Sequence, residues 1–306
     1  MKTESRATGV ALIVLTVLIW ASFALSMRFG GRSAAVMPAD MALARYLIPS
    51  LFFAPFLPRA WGRLRAVRPA AALMMAAGSG LPYYLFVYYG GRLTSAAHVS
   101  AILAGCLPLS MQIVRLALGE RAPLSTVQRV GLAIIVAGTG MLVLGLGLHT
   151  DLMQAVLGAL LLFGGSIAWA FYTIGVARSG GDPLVAGILG NMPSAAIVLI
   201  AVAIGAVPVG FGQYPALVAL QFSLIQGLGS GIVAGITFTM AVRRIGAMAA
   251  SVYGALAPVL VALLGWPILG ERPVPATLAG VGAICIGVAL CNGALGLLAH
   301  RRGGAR

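Results

Sequence analysis

The side chains that could carry out chemistry in this sequence are few, and their spacing excludes most catalytic and metal sites. The three cysteines, Cys106, Cys285 and Cys291, lie inside apolar runs, so neither a disulfide framework nor a CxxC metal site can be assembled. No Ser/His/Asp set, zinc spacing or pair of carboxylates can be drawn, and no glycine-rich segment has the strand and lysine of a phosphate loop. We therefore expect no enzyme, no cofactor and no metal.

Three polar side chains within or near apolar runs are candidates for binding a solute. A charge inside an apolar run, as at Arg45, is costly and indicates function, unless the side chain reaches the membrane surface or neighbouring carbonyls. His98 could titrate or hydrogen-bond a solute, but a single histidine at a helix end is often an interface residue. Asn191 could supply a further polar contact or an ordinary hydrogen bond between helices.

Aromatic residues form the second candidate set. Trp20 and Trp169 lie in the middle of apolar runs, whereas interfacial tryptophans are found at the ends of such runs. Their indole N–H groups need partners, so both cavity lining and packing between helices are possible interpretations. Further candidates for an aromatic cavity surface are Tyr83, Tyr84, Tyr172 and Tyr253.

The elements that must position these residues are membrane-spanning helices. The 306 residues are 60% hydrophobic and 8% charged, with a mean hydropathy of +1.03, whereas a soluble domain carries about 25% charged residues. The net charge of +14 could suit nucleic acid, but the arginines lie in short clusters between apolar runs. We therefore predict an all-α membrane protein that contacts the lipid bilayer and binds no nucleic acid.

Polar, proline and glycine breaks divide the chain into ten predicted membrane spans, each long enough to cross about 30 Å of hydrocarbon. The first is longer than a secretory signal core of about 7 to 15 residues, so we interpret it as a retained helix. The predicted spans are 8–27, 38–57, 70–91, 95–118, 127–147, 153–177, 184–206, 217–241, 247–269 and 276–298.

The distribution of basic residues predicts the orientation of these spans. With the N terminus inside, fifteen of the twenty Lys and Arg residues fall on the inner side. The outer segments contain only Arg28, Arg32, Arg92 and Arg272. Because short cytoplasmic segments are enriched in Lys and Arg, we predict that both termini are cytoplasmic.

The sequence contains an internal repeat. Gly78-Ser79-Gly80 recurs as Gly229-Ser230-Gly231, and Gly119-Glu120-Arg121 recurs as Gly270-Glu271-Arg272, both at an offset of 151 residues. Trp20 matches Trp169 at an offset of 149. We predict two halves, residues 1–150 and 151–306, each with five spans. Because five is an odd number, the second half must enter the membrane from the opposite side.

Two inverted halves around a central cavity favour a transporter with alternating access. The cavity would open to one face of the membrane and then to the other. Glycines of the repeated Gly-Ser-Gly segments permit close helix approach or local unwinding, and two prolines interrupt the fourth and ninth spans. The candidate gating and packing residues are Gly78, Gly80, Pro108, Gly229, Gly231 and Pro258.

The Gly-Glu-Arg triplets that end the fourth and ninth spans, each followed by Pro123 or Pro273, resemble the EamA half-repeat of the drug/metabolite transporter superfamily. Arg45, Pro108 and Pro258 fit the same pattern. The resemblance covers nearly the whole chain, and it is closest to bacterial inner-membrane amino-acid exporters, particularly those for aromatic amino acids. It implies a ten-helix basket in which the fifth and tenth helices support packing and the other eight line the cavity.

The positions of the acidic residues bear on energy coupling. All six lie at predicted helix ends or in loops: Glu4, Asp40, Glu120, Asp151, Asp182 and Glu271. Proton antiporters usually carry a carboxylate or histidine at membrane depth, so we favour facilitated export. Ten helices can enclose a cavity unaided, and we expect a functional monomer.

Alternative functions differ in the groups that they need in the membrane. A cationic drug would need a membrane acid, and a nucleotide sugar would need several cavity cations in addition to Arg45. An amphiphilic zwitterion, such as an amino acid, suits one arginine beside aromatic rings. Export of another small metabolite or drug is the alternative, and an intramembrane enzyme or a lipid-handling scaffold is a remote one.

Overall fold

The computed structural model describes residues 2–120, 123–147, 150–245, 253–254 and 256–291. Every regular element within these ranges is helical, which confirms the predicted all-α class. A 3-10 turn (Ala54–Phe56) joins the second helix to the third, and a π-helix (Ser223–Val233) joins the eleventh to the twelfth. The helices are α1 (Lys2–Arg32), α2 (Pro38–Phe53), α3 (Leu57–Ala66), α4 (Pro69–Gly78), α5 (Leu81–Leu93), α6 (Ala96–Gly105), α7 (Leu107–Ala117), α8 (Thr126–Gly147), α9 (Leu152–Arg178), α10 (Pro183–Ala203), α11 (Ala216–Phe222), α12 (Ala234–Ile245), α13 (Ala257–Leu269) and α14 (Pro275–Cys291).

Seven helical segments in the described ranges are long and apolar enough to cross a membrane, and the bent pair α6 and α7 makes an eighth. Helices α13 and α14 are apolar but shorter. The ninth and tenth predicted spans also include residues 246–252, 255 and 292–298, which lie outside the described residues. Length and composition therefore support seven or eight of the ten predicted spans.

The surface of these helices is suited to lipid rather than water. Large apolar side chains are exposed along several of them, including Leu73 on α4, Leu160 on α9, Ile200 on α10 and Leu263 on α13. Soluble monomers do not expose apolar surface on this scale. The buried polar residues lie in the interior, where neighbouring helices surround them.

Two boundaries differ from the sequence prediction. Helix α1 extends to Arg32, beyond the predicted end at residue 27. The basic segment after residue 57 was predicted to be a loop, but it forms α3. This prediction was wrong because the segment is amphipathic: Ala60 is buried against Phe53, whereas Arg63 is exposed.

Three predicted spans are interrupted at glycine or proline. The third span breaks at Ser79–Gly80, between α4 and α5. The fourth bends by 45° at Cys106, one residue before α7, whose first turn contains Pro108. Proline lacks a backbone N–H and clashes with the preceding turn, which accounts for the bend. The eighth span contains the eleven-residue π-helix, and such helices are rare and often found at functional sites.

Helices α8 and α14 pack closely through paired glycines. A Cβ added to Gly138 would lie 2.9 Å from the Gly280 carbonyl oxygen, and one added to Gly280 would lie 2.7 Å from the Gly138 oxygen. Gly131 and Gly287 form a second reciprocal pair on the same helices. Small residues let helix backbones approach in membranes, so α8 and α14 form a tight pair, as expected for the fifth and tenth spans.

The other main helix contacts join residues 1–150 to residues 151–306. Helix α1 packs on α12, and α4 and α5 pack on α9. Helix α2 packs on both α10 and the π-helix. The side chains at the centre of the protein therefore come from both parts of the chain.

Two clusters of ion pairs join the same two parts near opposite ends of the bent pair α6–α7. At its start, the Arg28 Nε atom donates to the Glu271 carboxylate at 2.6 Å, and the Ala96 backbone N–H donates to the same carboxylate at 2.9 Å. At its end, Arg178 and Arg115 donate to Glu120, at 2.7 and 3.1 Å. The hydrogen bond from Arg178 and that from Arg115 both lower the pKa of Glu120.

The glutamates of the two repeated triplets, Glu120 and Glu271, thus form similar ion pairs with different burial. The Glu271 and Arg28 side chains are 16% and 17% exposed, whereas the Glu120 and Arg178 side chains are 40% and 38% exposed. The attraction within an ion pair is stronger where the pair is buried, and removing one of its two charged side chains then costs more free energy. The Glu271 cluster is therefore the stronger of the two.

Candidate functional site

The Arg45 side chain lies in the interior, on the buried face of α2. Residues at helical spacing on this face, including Met41, Ala42, Tyr46 and Pro49, are also buried, so the helix directs the guanidinium inward. Arg45 is 5% exposed, and its Nη1 atom has no hydrogen-bond partner in the part of the chain that the structure describes. A buried donor without a partner costs free energy, so this atom is a candidate ligand contact.

Aromatic rings flank the Arg45 guanidinium. Its Cζ atom lies 5.8 Å from the centroid of the Phe23 ring and 5.8 Å from that of Tyr46. Cations are attracted to aromatic faces at this range. Phe23 and Tyr46 belong to the same buried apolar cluster as Tyr83, and Trp169 packs against that cluster. The predicted Arg45 and Tyr83 therefore lie in one region.

Trp169 is at the centre of this aromatic region. Its ring centroid lies 5.3 Å from that of Tyr83 on α5 and 4.8 Å from that of Tyr172, one turn later on α9. Such distances are typical of favourable aromatic pairs. The sequence prediction grouped these three residues as cavity candidates, and the structure brings them together.

Trp20 lies in a second aromatic group. Its ring centroid is 5.4 Å from that of Phe238 on α12, and Tyr253 packs against the same apolar cluster. The two tryptophans that match in the repeat thus each contact aromatic side chains from another helix. In the described residues, they belong to separate clusters.

Two of the predicted site residues, Tyr84 and Asn191, form local hydrogen bonds. The Tyr84 hydroxyl donates to the Pro38 carbonyl oxygen at 2.7 Å, and its ring is fully buried beside Tyr46. The Asn191 amide donates to the Gly187 carbonyl oxygen at 2.7 Å, one turn earlier in α10. The Tyr84 hydrogen bond therefore joins α5 to α2, and the Asn191 hydrogen bond lies within α10.

His98 lies at the start of α6 and is also hydrogen-bonded. Its Nδ1 atom shares a hydrogen bond of 2.7 Å with the Ser95 hydroxyl, and its Nε2 atom lies 3.0 Å from the Leu142 carbonyl oxygen. His98 also lines a cavity of about 290 Å³ beside Arg28 and Glu271. This cavity is next to the Glu271 ion pairs and does not include Arg45.

The glycines named as gating or packing candidates lie where helices approach closely. A Cβ added to Gly78 would lie 2.5 Å from the Ala168 carbonyl oxygen. A Cβ added to Gly80 would clash with the Ser194 hydroxyl oxygen, and one added to Gly231 would clash with the Pro49 ring. Gly229 is less crowded, since the nearest atom to an added Cβ is the Leu224 carbonyl oxygen at 3.1 Å.

The two proline candidates occupy similar local positions. Pro108 is in the first turn of α7, after the bend at Cys106, and Pro258 is in the first turn of α13. Proline is favoured there because its missing N–H would be unpaired in any case. Their equivalent placement agrees with the sequence repeat.

Sequence reasoning missed Gln226, which lies in the π-helix. This residue is fully buried, and in the part of the chain that the structure describes, neither polar atom of its side-chain amide has a hydrogen-bond partner. A glutamine within an apolar run is unusual and could have indicated the site. Only the glycines of that run were considered as candidate residues. The sequence also did not reveal that Asp40 is buried and accepts hydrogen bonds from the backbone N–H groups of Gly210 and Met37.

Acidic side chains do not pair with Arg45 in the described residues. Asp40 accepts backbone N–H groups, Asp151 caps α9, and Asp182 pairs with Arg63. Glu120 and Glu271 form the two clusters described above. The described residues also contain no group of three or more His, Cys, Asp or Glu side chains that could hold a metal ion.

Comparison with known proteins supports the fold and, over part of the chain, the predicted resemblance to the EamA family. Residues 156–293 match the EamA-like transporter family, within the second predicted half. The fold is similar to that of a solved crystal structure of a protein, over 94% of this chain and 97% of the other chain, with 21% sequence identity and a TM-score of 0.62. No curated protein matches the sequence. Together with the apolar helices, these matches indicate a multi-pass membrane protein.

Proposed function

We propose that this protein is a secondary transporter or facilitator of the bacterial inner membrane that exports amino acids. Its substrates are aromatic and other neutral amino acids, and it works by alternating access as a monomer without a cofactor. Both termini face the cytoplasm. The family match to EamA-like transporters supports the transport class, and the residues around Arg45 support the substrate class.

The observation that carries the substrate class is the unpaired Arg45 guanidinium. A buried cation in a membrane protein normally has a partner, because its desolvation is expensive. Arg45 has an Nη1 donor without a partner, and no described carboxylate pairs with it. A substrate carboxylate would supply the missing charge and hydrogen bonds.

The surrounding aromatic residues support a neutral amino acid with an apolar side chain. Phe23 and Tyr46 flank the guanidinium, and Tyr83, Trp169 and Tyr172 form a neighbouring group of tilted rings. Aromatic rings pack favourably on one another, and their faces also attract an ammonium group. This environment suits a molecule with a carboxylate, an ammonium and a ring.

We further propose ten spans in two inverted halves, residues 1–150 and 151–306. The seven long spans, the bent pair and the two shorter apolar helices together supply ten such segments. The Glu120–Arg178 and Glu271–Arg28 pairs come from equivalent positions in the two halves and lie at opposite ends of α6–α7. Alternating access requires that contacts of this kind open at one face while they close at the other.

Counterflow into proteoliposomes tests the proposal. Purified protein would be reconstituted with an excess of unlabelled phenylalanine inside, and uptake of labelled phenylalanine, tryptophan, leucine, glutamate and lysine would be measured. We expect the highest uptake for the aromatic amino acids and lower uptake for the charged ones. Arg45→Ala should reduce phenylalanine uptake at least about tenfold, because it removes a charge-assisted hydrogen bond.

Arg59→Ala is the matched control, because Arg59 is exposed on α3. It should leave uptake unchanged. Thermal unfolding would establish that both variants are folded. If Arg45→Ala takes up phenylalanine as well as wild type does, Arg45 has no role in binding. If wild type moves none of the five amino acids, the amino-acid assignment is refuted in favour of another metabolite.

A further inference from the structure

The buried amide of Gln226 is not explained by the packing of the protein. Gln226 is fully buried, and neither its Oε1 nor its Nε2 atom has a hydrogen-bond partner among the described residues. Each unpaired amide atom in a dry interior costs free energy, and leucine would fill such a position without that cost. A residue retained under these conditions is a candidate for contact with a ligand.

The π-helix brings Gln226 close to Arg45. A Cβ added to Gly231 would lie 3.3 Å from the Arg45 Nη1 atom and 3.3 Å from the backbone carbonyl oxygen of Gln226. At the neighbouring residue, a Cβ added to Gly227 would lie 2.6 Å from the Ala44 carbonyl oxygen. The π-helix and α2 are therefore in close contact along the segment that carries both unpaired side chains.

The two side chains have complementary hydrogen-bonding capacity. Arg45 is only a donor, whereas the Gln226 amide has a donor and an acceptor. An α-amino acid presents a carboxylate that accepts and an ammonium that donates. Arg45 can bind the carboxylate, and the Gln226 Oε1 atom can accept from the ammonium without an acidic residue.

We propose that Gln226 determines specificity by binding the α-ammonium group of the substrate, next to the carboxylate held by Arg45. This inference rests on the proposed function and adds to it the recognition of the ammonium group. It accounts for an amino-acid site without a membrane carboxylate. Molecules with a carboxylate and a ring but no ammonium should be poorer substrates, because they leave the Gln226 acceptor unpaired.

The test compares phenylalanine with 3-phenylpropanoate, which lacks the ammonium group. Counterflow of each labelled compound would be measured for wild type, Gln226→Leu, Gln226→Met and the control Gln221→Leu. Gln221 is exposed at the end of α11, only five residues away. Wild type and Gln221→Leu should prefer phenylalanine by at least about tenfold, the factor expected for one hydrogen bond to a charged group.

Both Gln226 variants should lose this preference and still move 3-phenylpropanoate. Their thermal unfolding temperature should not fall, because no internal hydrogen bond of the side chain is lost. The inference is overturned if either variant keeps the preference or loses both activities equally. If wild type moves neither compound, the proposed function fails as well. If wild type moves phenylalanine and the Gln226 variants keep its selectivity, only the role of Gln226 fails.

Discussion

At the scale of single residues, several arginines form ion pairs with acidic side chains, whereas the buried Arg45 forms none within the described residues. Arg28 pairs with Glu271, Arg63 with Asp182, and Arg178 with Glu120. Arg45 has aromatic neighbours but an unpaired Nη1 atom. This difference separates groups that stabilise the fold from a group that is available to a solute.

The first prediction concerns the stability of Arg45→Met. Methionine removes the buried charge and keeps much of the apolar contact with Phe23 and Tyr46. Because the charge has little internal compensation, we expect stability that is unchanged or higher by about 1 kcal/mol, together with loss of counterflow. Thermal unfolding in detergent and phenylalanine counterflow would be compared. A marked loss of stability would indicate that Arg45 is a structural residue.

A second prediction contrasts the two repeated glutamates. Glu271→Gln leaves Arg28 poorly paired where its side chain is only 17% exposed, and it should lower stability by about 3 kcal/mol. Glu120→Gln should have a smaller effect, because its partners are more exposed and water screens the pair. Thermal unfolding of both variants at pH 7 would measure the difference. Equal losses would contradict the assigned difference in strength.

The pH dependence of the unfolding temperature of wild type and Glu120→Gln provides a control for this comparison. The Arg178 and Arg115 hydrogen bonds lower the folded-state pKa of Glu120 below its ordinary value of 4.5. The stabilisation is therefore fully present above pH 4.5 and is lost as the pH falls through the lowered pKa. The unfolding temperatures of wild type and Glu120→Gln should converge over that range. A difference that grows as the pH falls would contradict this ion-pair account.

At the scale of helices, the sequence predicted the apolar spans better than their irregularities. Long apolar runs predicted α8, α9 and α10 closely, because crossing the membrane as a helix requires such a run. The runs could not reveal the π-helix or the 45° bend, which depend on how neighbouring helices pack. The helix α3 was missed because its basic residues resembled a cytoplasmic loop.

The candidate site was predicted in part for the same reasons. Arg45 and the mid-span tryptophans were recognisable because charge and tryptophan are unusual at those depths. Tyr84 and Asn191 were also candidates, but the structure gives both of them local hydrogen-bond partners. Gln226 was missed, because its burial and lack of partners are properties of the packed protein.

The paired glycines of α8 and α14 support a prediction about helix packing. Gly280→Ala places a methyl group 2.7 Å from the Gly138 carbonyl oxygen, so the helices must separate and stability should fall by about 1–3 kcal/mol. Gly282→Ala meets no atom within 4 Å and should raise helix stability by about 1 kcal/mol or less. Thermal unfolding would compare the two. Equal stability of both variants would contradict close packing at Gly280.

At the scale of the whole molecule, the position of acidic groups predicts how transport is driven. The described acidic side chains lie at helix ends or in loops, and none pairs with Arg45. We therefore expect facilitated export. Phenylalanine uptake into proteoliposomes with an imposed proton gradient should be the same with and without a protonophore. A strong decrease when the proton gradient is collapsed would indicate proton coupling.

Both the shared site and the alternating access depend on opposite orientations of residues 1–150 and 151–306. Four exposed alanines can report this orientation: Ala34 after α1, Ala66 at the end of α3, Ala177 near the end of α9 and Ala206 after α10. Each would be replaced by cysteine in a protein whose native cysteines have been changed to serine. None of the four side chains takes part in the ion pairs described above.

The decisive measurement is labelling of these four variants in intact cells with a membrane-impermeant thiol reagent. We predict that Ala34→Cys and Ala206→Cys react from outside the inner membrane, and that Ala66→Cys and Ala177→Cys react only after the cytoplasmic face is exposed. Ala34 and Ala177 lie at the ends of the first helices of the two halves, so their opposite labelling would establish the inversion. Labelling of Ala34→Cys and Ala177→Cys from the same face would contradict it.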